Sequence, residues 1–249
     1  MIKPLALFAA ILGVSAHSNL HKPQPRGNLE WWGYCSRGNG CSTACDAPRA
    51  KSTIDSPYVQ AKEIRRGETI EVEWLRQNHP GGFVRLAMVP FDQSDDASAF
   101  DRHATHYSCY ESTCREDSHD SFLGVNNGSG SQACTTKFQV PKSLPNGPVT
   151  LQWLWYGGGV LFADQNASFA HYVNCADMKI VGDEPIVNES ITPTFDAVDK
   201  GAGVQGKCRY WSTNSSKGCS KGAETKDQCG YGGEQFGEPA ELQNIAEQF

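Results

Sequence analysis

His17, His79 and Tyr172 are the residues whose types and placement could do chemistry together. His17 follows the apolar stretch MIKPLALFAAILGVSA, and a cut after Ala16 would give it a free α-amine beside its ring. Amine and ring Nδ1 can then chelate one metal ion, because an α-amine with a pKa of about 8 yields its proton readily to a metal. His79 stands in NHPGGFVR, 78–85, where the Pro-Gly-Gly turn folds the backbone back sharply and leaves a neutral imidazole projecting at a sheet edge. Tyr172, in AHYVNCAD, 170–177, precedes Cys175 by three residues, and its ring could cover a metal's axial side or fill the core. Two imidazole nitrogens and an amine form a planar three-nitrogen set suited to Cu(II), with positions left open. Zinc prefers a tetrahedral shell and has no redox chemistry. Each residue also has a plain reading: a histidine that happens to come first, an exposed turn histidine, a core tyrosine.

The elements that must position them begin with the leader. Residues 1–16 carry Lys3, an apolar run from Leu5 to Val14 and small or apolar residues at Val14 and Ala16, the pattern of a secretory signal. The run is shorter than the roughly 20 residues a membrane span needs, so a secreted, extracellular chain with no membrane partner after cleavage is expected. Ten cysteines fit a compartment where disulfides persist, and read as staples rather than metal ligands. Asn-x-Ser sequons at Asn127, Asn166, Asn188 and Asn214 are compatible with a secreted glycoprotein. The formal charge of −6 becomes −7 without Lys3, as 21 basic residues then face 28 acidic ones. This argues against nucleic acid as a partner, which would call for a basic patch.

Between 17 and 182, short apolar-periodic runs alternate with Gly, Pro, Asn and Ser clusters. TIEVEWL, 69–75, places Ile70, Val72 and Trp74 on one face; FVRLAMV, 83–89, does so with Val84, Leu86 and Met88; VTLQWLW, 149–155, with Val149, Leu151, Trp153 and Trp155. TKFQV, 136–140, and HYVNCADMKIV, 171–181, are further strands, and no long helical pattern competes. The expected fold is all-β, an immunoglobulin/fibronectin-III-like antiparallel β-sandwich with long loops from 90 to 133, stapled by disulfides. Residues 183–206 read as a linker, and 207–249, with three cysteines, as a small extension that either lays aromatic rings on a sugar surface or forms a tail bridged to the body.

Taken in order, HSNLHKPQPRG, HPGGFVR and YVNCADM resemble the lytic polysaccharide monooxygenases over residues 17–182. The resemblance implies a copper brace made by His17 and His79 with Tyr172 at the axial position. It further implies oxidation of a sugar C–H by dioxygen or hydrogen peroxide with an external electron donor, and a polysaccharide partner met by a monomer. The cellulose-active fungal group has a glutamine two residues before the axial tyrosine, where this chain has Ala170, so Gln165 and His171 become candidates for the supporting hydrogen bond. The motifs look closest to the oomycete group that acts on pectin, with cellulose or chitin as the alternative substrate. Rival readings are a copper-binding or copper-delivery protein without oxidative activity, and a carbohydrate-binding sandwich without catalysis.

Other features are weighed beside that reading. Lys22, Arg26, Arg76 and Arg85 could form a basic rim for an anionic polysaccharide, with Tyr107, Tyr110 and Arg85 on the substrate surface. His103, His106 and His119, within 101–120, match no closed zinc motif and read as part of a disulfide-pinned loop. Trp31 and Trp32 serve either as a platform or, more plainly, in core packing.

Overall fold

The computed structural model describes residues 18–26, 44–52, 54, 61–76, 83–110, 132–157, 170–188 and 193–196. Its strands are β1 (Ser18–Lys22), β2 (Lys62–Ile64), β3 (Thr69–Arg76), β4 (Phe83–Pro90), β5 (Ala104–Cys109), β6 (Gln132–Gln139), β7 (Gly147–Gly157), β8 (Ala170–Ile180) and β9 (Thr194–Asp196). A six-residue helix, α1 (Ala97–Arg102), is capped by Asp96, whose side chain accepts from the Ser98 amide at 2.9 Å.

One sheet has the order β1-β3-β6 and the other β2-β8-β7-β4-β5-β9, the β-sandwich expected from the sequence. Two edge pairings depart from a purely antiparallel plan: β2 runs parallel to β8, and β9 parallel to β5. β9 falls inside the stretch read as a linker, so 194–196 add to the body's sheet. The long loop read from position 90 likewise contains α1 and β5.

Alternation decides the main core. Ile70, Val72 and Trp74 of β3 point inward while Thr69 and Glu71 are exposed, the period-2 pattern of a strand covered on one face. They meet Val84, Leu86 and Met88 of β4, the four predicted residues of β7, and Tyr172, Ala176 and Met178 of β8. β4 differs, for it is buried along both faces, as its near-continuous apolar run requires. On its second face Phe83, Ala87 and Val89 pack with Leu154, Val173, Ala44, Cys45, Ala99 and Phe100 in a second cluster. Segment 44–47 and α1 thus form a partial third layer over the larger sheet.

The Cys45–Cys175 disulfide fastens that layer to β8, with a Cα–Cα distance of 5.5 Å and a sequence separation of 130. Closing so long a loop in the unfolded chain is worth roughly 4–5 kcal/mol in the chain-entropy view. Cys109 and Cys134 are disulfide-bonded as well, in keeping with cysteines used as staples.

Candidate metal centre

His17 and His79 lie outside the described residues, as do Gln165, His119, Trp31, Trp32 and the side chains of His171 and Arg76. The described residues nearest to 17 and 79 in sequence can be placed in the sandwich. Ser18, the first residue of β1, pairs with Arg76, the last of β3. The chain re-enters at Phe83, which starts β4 opposite Tyr156 of β7, and the adjacent Trp155 pairs with Tyr172 of β8. The residues flanking positions 17 and 79 therefore sit at the same end of the fold as Tyr172.

A buried amide joins the two sheets at that end. Asn174, fully buried, accepts from the Leu20 amide at 2.7 Å through Oδ1 and donates through Nδ2 to Asp46 Oδ2 at 2.7 Å. Leu20 is two residues from Ser18, and Asn174 two from Tyr172, so one side chain sets the spacing between β1 and the tyrosine's strand. Tyr172 faces the core: it is 4% exposed and stacks on Trp155 with ring centroids 4.7 Å apart. Trp155 stacks in turn on Tyr110 at 4.2 Å, and Trp74 donates its Nε1–H to the Tyr110 carbonyl at 3.0 Å. This aromatic pile gives the end a rigid floor.

β1 is tied down along its length. Ser18 donates to the Leu75 carbonyl at 3.1 Å. The pairing with β3 shifts register between Leu20 and Lys22. At this bulge His21 and Lys22 both reach Glu73, at 2.5 and 3.2 Å. Burial pushes the Glu73 carboxyl up, but the hydrogen bonds and charges of Lys22 and His21 outweigh it and leave the group below its ordinary value. Beyond β1, Arg26 binds Asp177 through two hydrogen bonds of 2.7 and 2.8 Å, donates to Ser94 and Thr150, and lies over the Phe91 ring. Its backbone amide donates to the Cys175 carbonyl at 2.8 Å. The stretch from Ser18 to Arg26 is thereby fixed to β3 on one side and β8 on the other.

Several residues expected on a substrate surface are elsewhere. Tyr107 and Tyr110 are 0% exposed. Tyr107 packs near Phe83 under α1 and segment 44–47, and Tyr110 is locked in the aromatic pile. Arg85 is buried on the covered face of β4, donating to Asp101 at 2.6 Å and to Gln152 at 2.8 Å, and Gln152 donates in turn to the Ala44 carbonyl. Arg26 is likewise consumed inside the fold, so neither arginine belongs to a basic rim. Nearness in sequence misplaced them: Tyr107 and Arg85 lie on a sheet face covered by the third layer, Tyr110 in the main core and Arg26 on Asp177. Lys22 keeps a half-exposed side chain beside Glu73.

The histidines of 101–120 are structural where described. His103 Nδ1 contacts the Ala99 carbonyl at 2.8 Å, and His106 lies between the Thr194 and Thr136 hydroxyls at 2.7 and 2.9 Å. Among the described residues no group of three or more His, Cys, Asp or Glu could hold a metal. Among them, too, no helix is long and apolar enough to cross a membrane. Asn174, Asp46, Arg26 and Asp177 were not foreseen as anchors. The available signal was an Asn and an Asp inside the strand YVNCADM, residue types depleted from strands unless something specific satisfies them.

No family model matches the chain, and no curated protein matches it. Solved structures do. An AA15 lytic polysaccharide monooxygenase from Thermobia domestica in the Cu(I) state matches at 17% identity over 57% of this chain and 77% of that one, with a TM-score of 0.35. A cellulose-active polysaccharide monooxygenase from M. thermophila matches at 13% identity, covering 80% and 90%, with a TM-score of 0.35. A chitin binding domain from Burkholderia pseudomallei matches at 14% identity, covering 68% and 82%, with a TM-score of 0.34. Overlaps of this extent carry no functional argument, so function has to be read from this chain's own residues.

Proposed function

We propose that the chain, cut after Ala16, is a secreted copper-dependent lytic polysaccharide monooxygenase built on residues 17–182. The observation that carries the reading is the common end shared by Ser18, Arg76, Phe83 and Tyr172, tied across the sheets by Asn174. An amine and two imidazoles are a donor set that fits copper. The His17 amine and ring and the His79 ring would hold the ion, with the Tyr172 phenol on its core side. Copper bound there would supply one-electron chemistry with dioxygen or peroxide at a sugar C–H, drawing on an external donor.

The chain's own contribution is placement. β1 is held by backbone pairing, by Asn174, by Glu73 and by Arg26, so that a freed terminus would start from a fixed strand rather than a loose tail. Tyr172 on its aromatic floor closes the inner side against water. The substrate is a plant cell-wall polysaccharide, pectin first and cellulose second, with chitin as an alternative outside plant walls. The preference for pectin rests on the motif resemblance, since Arg26 and Arg85 are not available to an anionic polymer.

Copper titration of protein beginning at His17, beside protein with one Ala placed before it, tests the brace. Tight binding lost on extension is expected; micromolar or weaker binding that ignores the extension defeats it. Incubation with pectin, cellulose and chitin plus a reductant, with mass spectrometry of the products, tests the reaction. Oxidised oligosaccharides from one polymer are expected, and tight copper binding without them would leave a copper-binding protein.

A further inference from the structure

The segment after β8 carries a feature that copper chemistry does not use. Gly182, at φ +108°, turns the chain away from the sheet, and its carbonyl accepts from Asn146 Nδ2 at 2.7 Å. Arg66 then donates to the Glu184 carbonyl through Nε at 2.8 Å, Arg65 donates to the Glu184 carboxylate at 3.0 Å, and the Val187 amide donates to the Lys142 carbonyl at 3.1 Å. The strap from 182 to 187 is thus fastened at both ends, and Asn188 is the next residue, exposed and without regular secondary structure. It begins the sequon Asn188-Glu189-Ser190. Beside it, Ile186 at 55% and Val187 at 36% are the exposed large apolar side chains among the described residues.

From this geometry we infer that Asn188 is an N-glycosylation site whose sugar covers the Ile186–Val187 pair; the inference rests on the secretion reading above. The acceptor chemistry needs an accessible Asn amide with a hydroxyl residue two positions on: the strap exposes Asn188, and the sequence supplies Ser190. Asn188 makes no hydrogen bond to another described residue that would have to break. In the transfer, the Asn188 amide nitrogen bonds to the anomeric carbon of a lipid-pyrophosphate-linked oligosaccharide. The bond from that carbon to the pyrophosphate oxygen breaks, the amide gives up one proton, and the lipid pyrophosphate leaves with no change in oxidation state. Position favours tolerance of a bulky group. β8 runs from Tyr172 to Ile180 away from the metal end, about 26 Å at roughly 3.3 Å per residue. A glycan here leaves the polysaccharide-facing end open while it hydrates two apolar side chains that nothing in the described fold covers.

The test is secretion of the full chain from a eukaryotic host, followed by peptide mapping after enzymatic deglycosylation in heavy-oxygen water. Asn188 should be recovered as labelled aspartate. Asn188→Gln and Ser190→Ala should each abolish that label and raise binding of an apolar dye to the folded protein, and adding Ile186→Ser with Val187→Ser should return dye binding to the wild-type level. Copper affinity should not move. An unlabelled Asn188 overturns the inference. If Asn127, Asn166 and Asn214 are also bare and residues 1–16 are retained, the secretion reading falls with it; if those sites carry sugar, only the Asn188 assignment falls. Labelling without any dye response to removal overturns the covering role.

Discussion

The two ends of β8 are anchored by opposite means. Toward the Tyr172 end Asn174 is buried between the sheets, and in the body of β8 Asp177 holds Arg26, both essentially without solvent. Beyond the Ile180 end the ion pair is exposed: Arg65 on Glu184 lies at the surface beside the mostly buried Arg66, and the strap they hold leaves apolar side chains in water. A buried polar pair is expensive to break because the partner left behind stays desolvated, whereas an exposed one exchanges its partner for water. The fold therefore concentrates positional precision where β1 starts and relaxes it where the chain departs. That division suits the proposed brace, whose chemistry would depend on the residue freed by cleavage after Ala16.

The sharpest way to break this comparison is at Arg26. Arg26→Ala strands the Asp177 carboxylate in the interior, and a loss of about 3–5 kcal/mol is expected in denaturant unfolding. Replacing both partners with apolar residues, Arg26→Met with Asp177→Leu, should lose less than the single change, since no charge is left uncompensated. Equal losses would show that the pair is not what fixes the segment. Asn174→Ala comes next. It leaves the buried Leu20 amide without its acceptor, about 1–3 kcal/mol for one such group, and takes one donor from Asp46 Oδ2. Because Leu20 sits three residues from His17, this variant should also weaken copper binding and alter the Cu(II) resonance spectrum. Asp46→Asn keeps an acceptor for Asn174 Nδ2 and should leave that spectrum unchanged.

What the sequence revealed follows from the same physics. Strands covered on one face announce themselves by alternation, so β3 and the inner faces of β4 and β7 were legible residue by residue. The third layer was not, because segment 44–52 and α1 are short and carry no period, and their cover over β4 reversed the expected exposure of Tyr107 and Arg85. β9 was missed for a related reason: three residues in an acidic, Pro-containing stretch offer no pattern, and only pairing with β5 makes them a strand. The candidate brace rests on residue types and their order in the sequence, with Tyr172 as its single described member. The anchoring of β1 was hidden, since Asn174 meets Leu20 across 154 positions.

Glu73 offers a smaller, reversible perturbation of the site end. Its carboxyl is held below the ordinary value of 4.5 by Lys22 and His21 against the opposing effect of burial. A group whose folded pKa is depressed adds stability that is fully present above its unfolded pKa and is lost as pH falls through the folded one. Acid titration of wild-type stability should therefore show a decline that begins below the ordinary carboxylate pKa, and Glu73→Gln should lack that component. A variant that keeps the full acid decline would place the titrating group elsewhere.

The smallest effect is expected at the other end. Arg65 and Glu184 form an exposed pair in which hydrogen bonding to Arg65 and to backbone holds the Glu184 carboxyl low, yet water and salt screen what the pair contributes. Arg65→Ala should leave unfolding stability, copper binding and the Cu(II) spectrum where they were. Arg66, mostly buried and bonded to Asn146, Leu144 and the Glu184 carbonyl, holds the strap more firmly. Arg66→Ala should loosen residues 182–188, and hydrogen exchange at the Val187 amide reads this directly. The comparison is sharpened if that exchange quickens while copper affinity stays fixed, because the two ends then respond independently. If loosening the strap weakens copper binding, the ends are coupled through β8, and the division of labour between them is wrong.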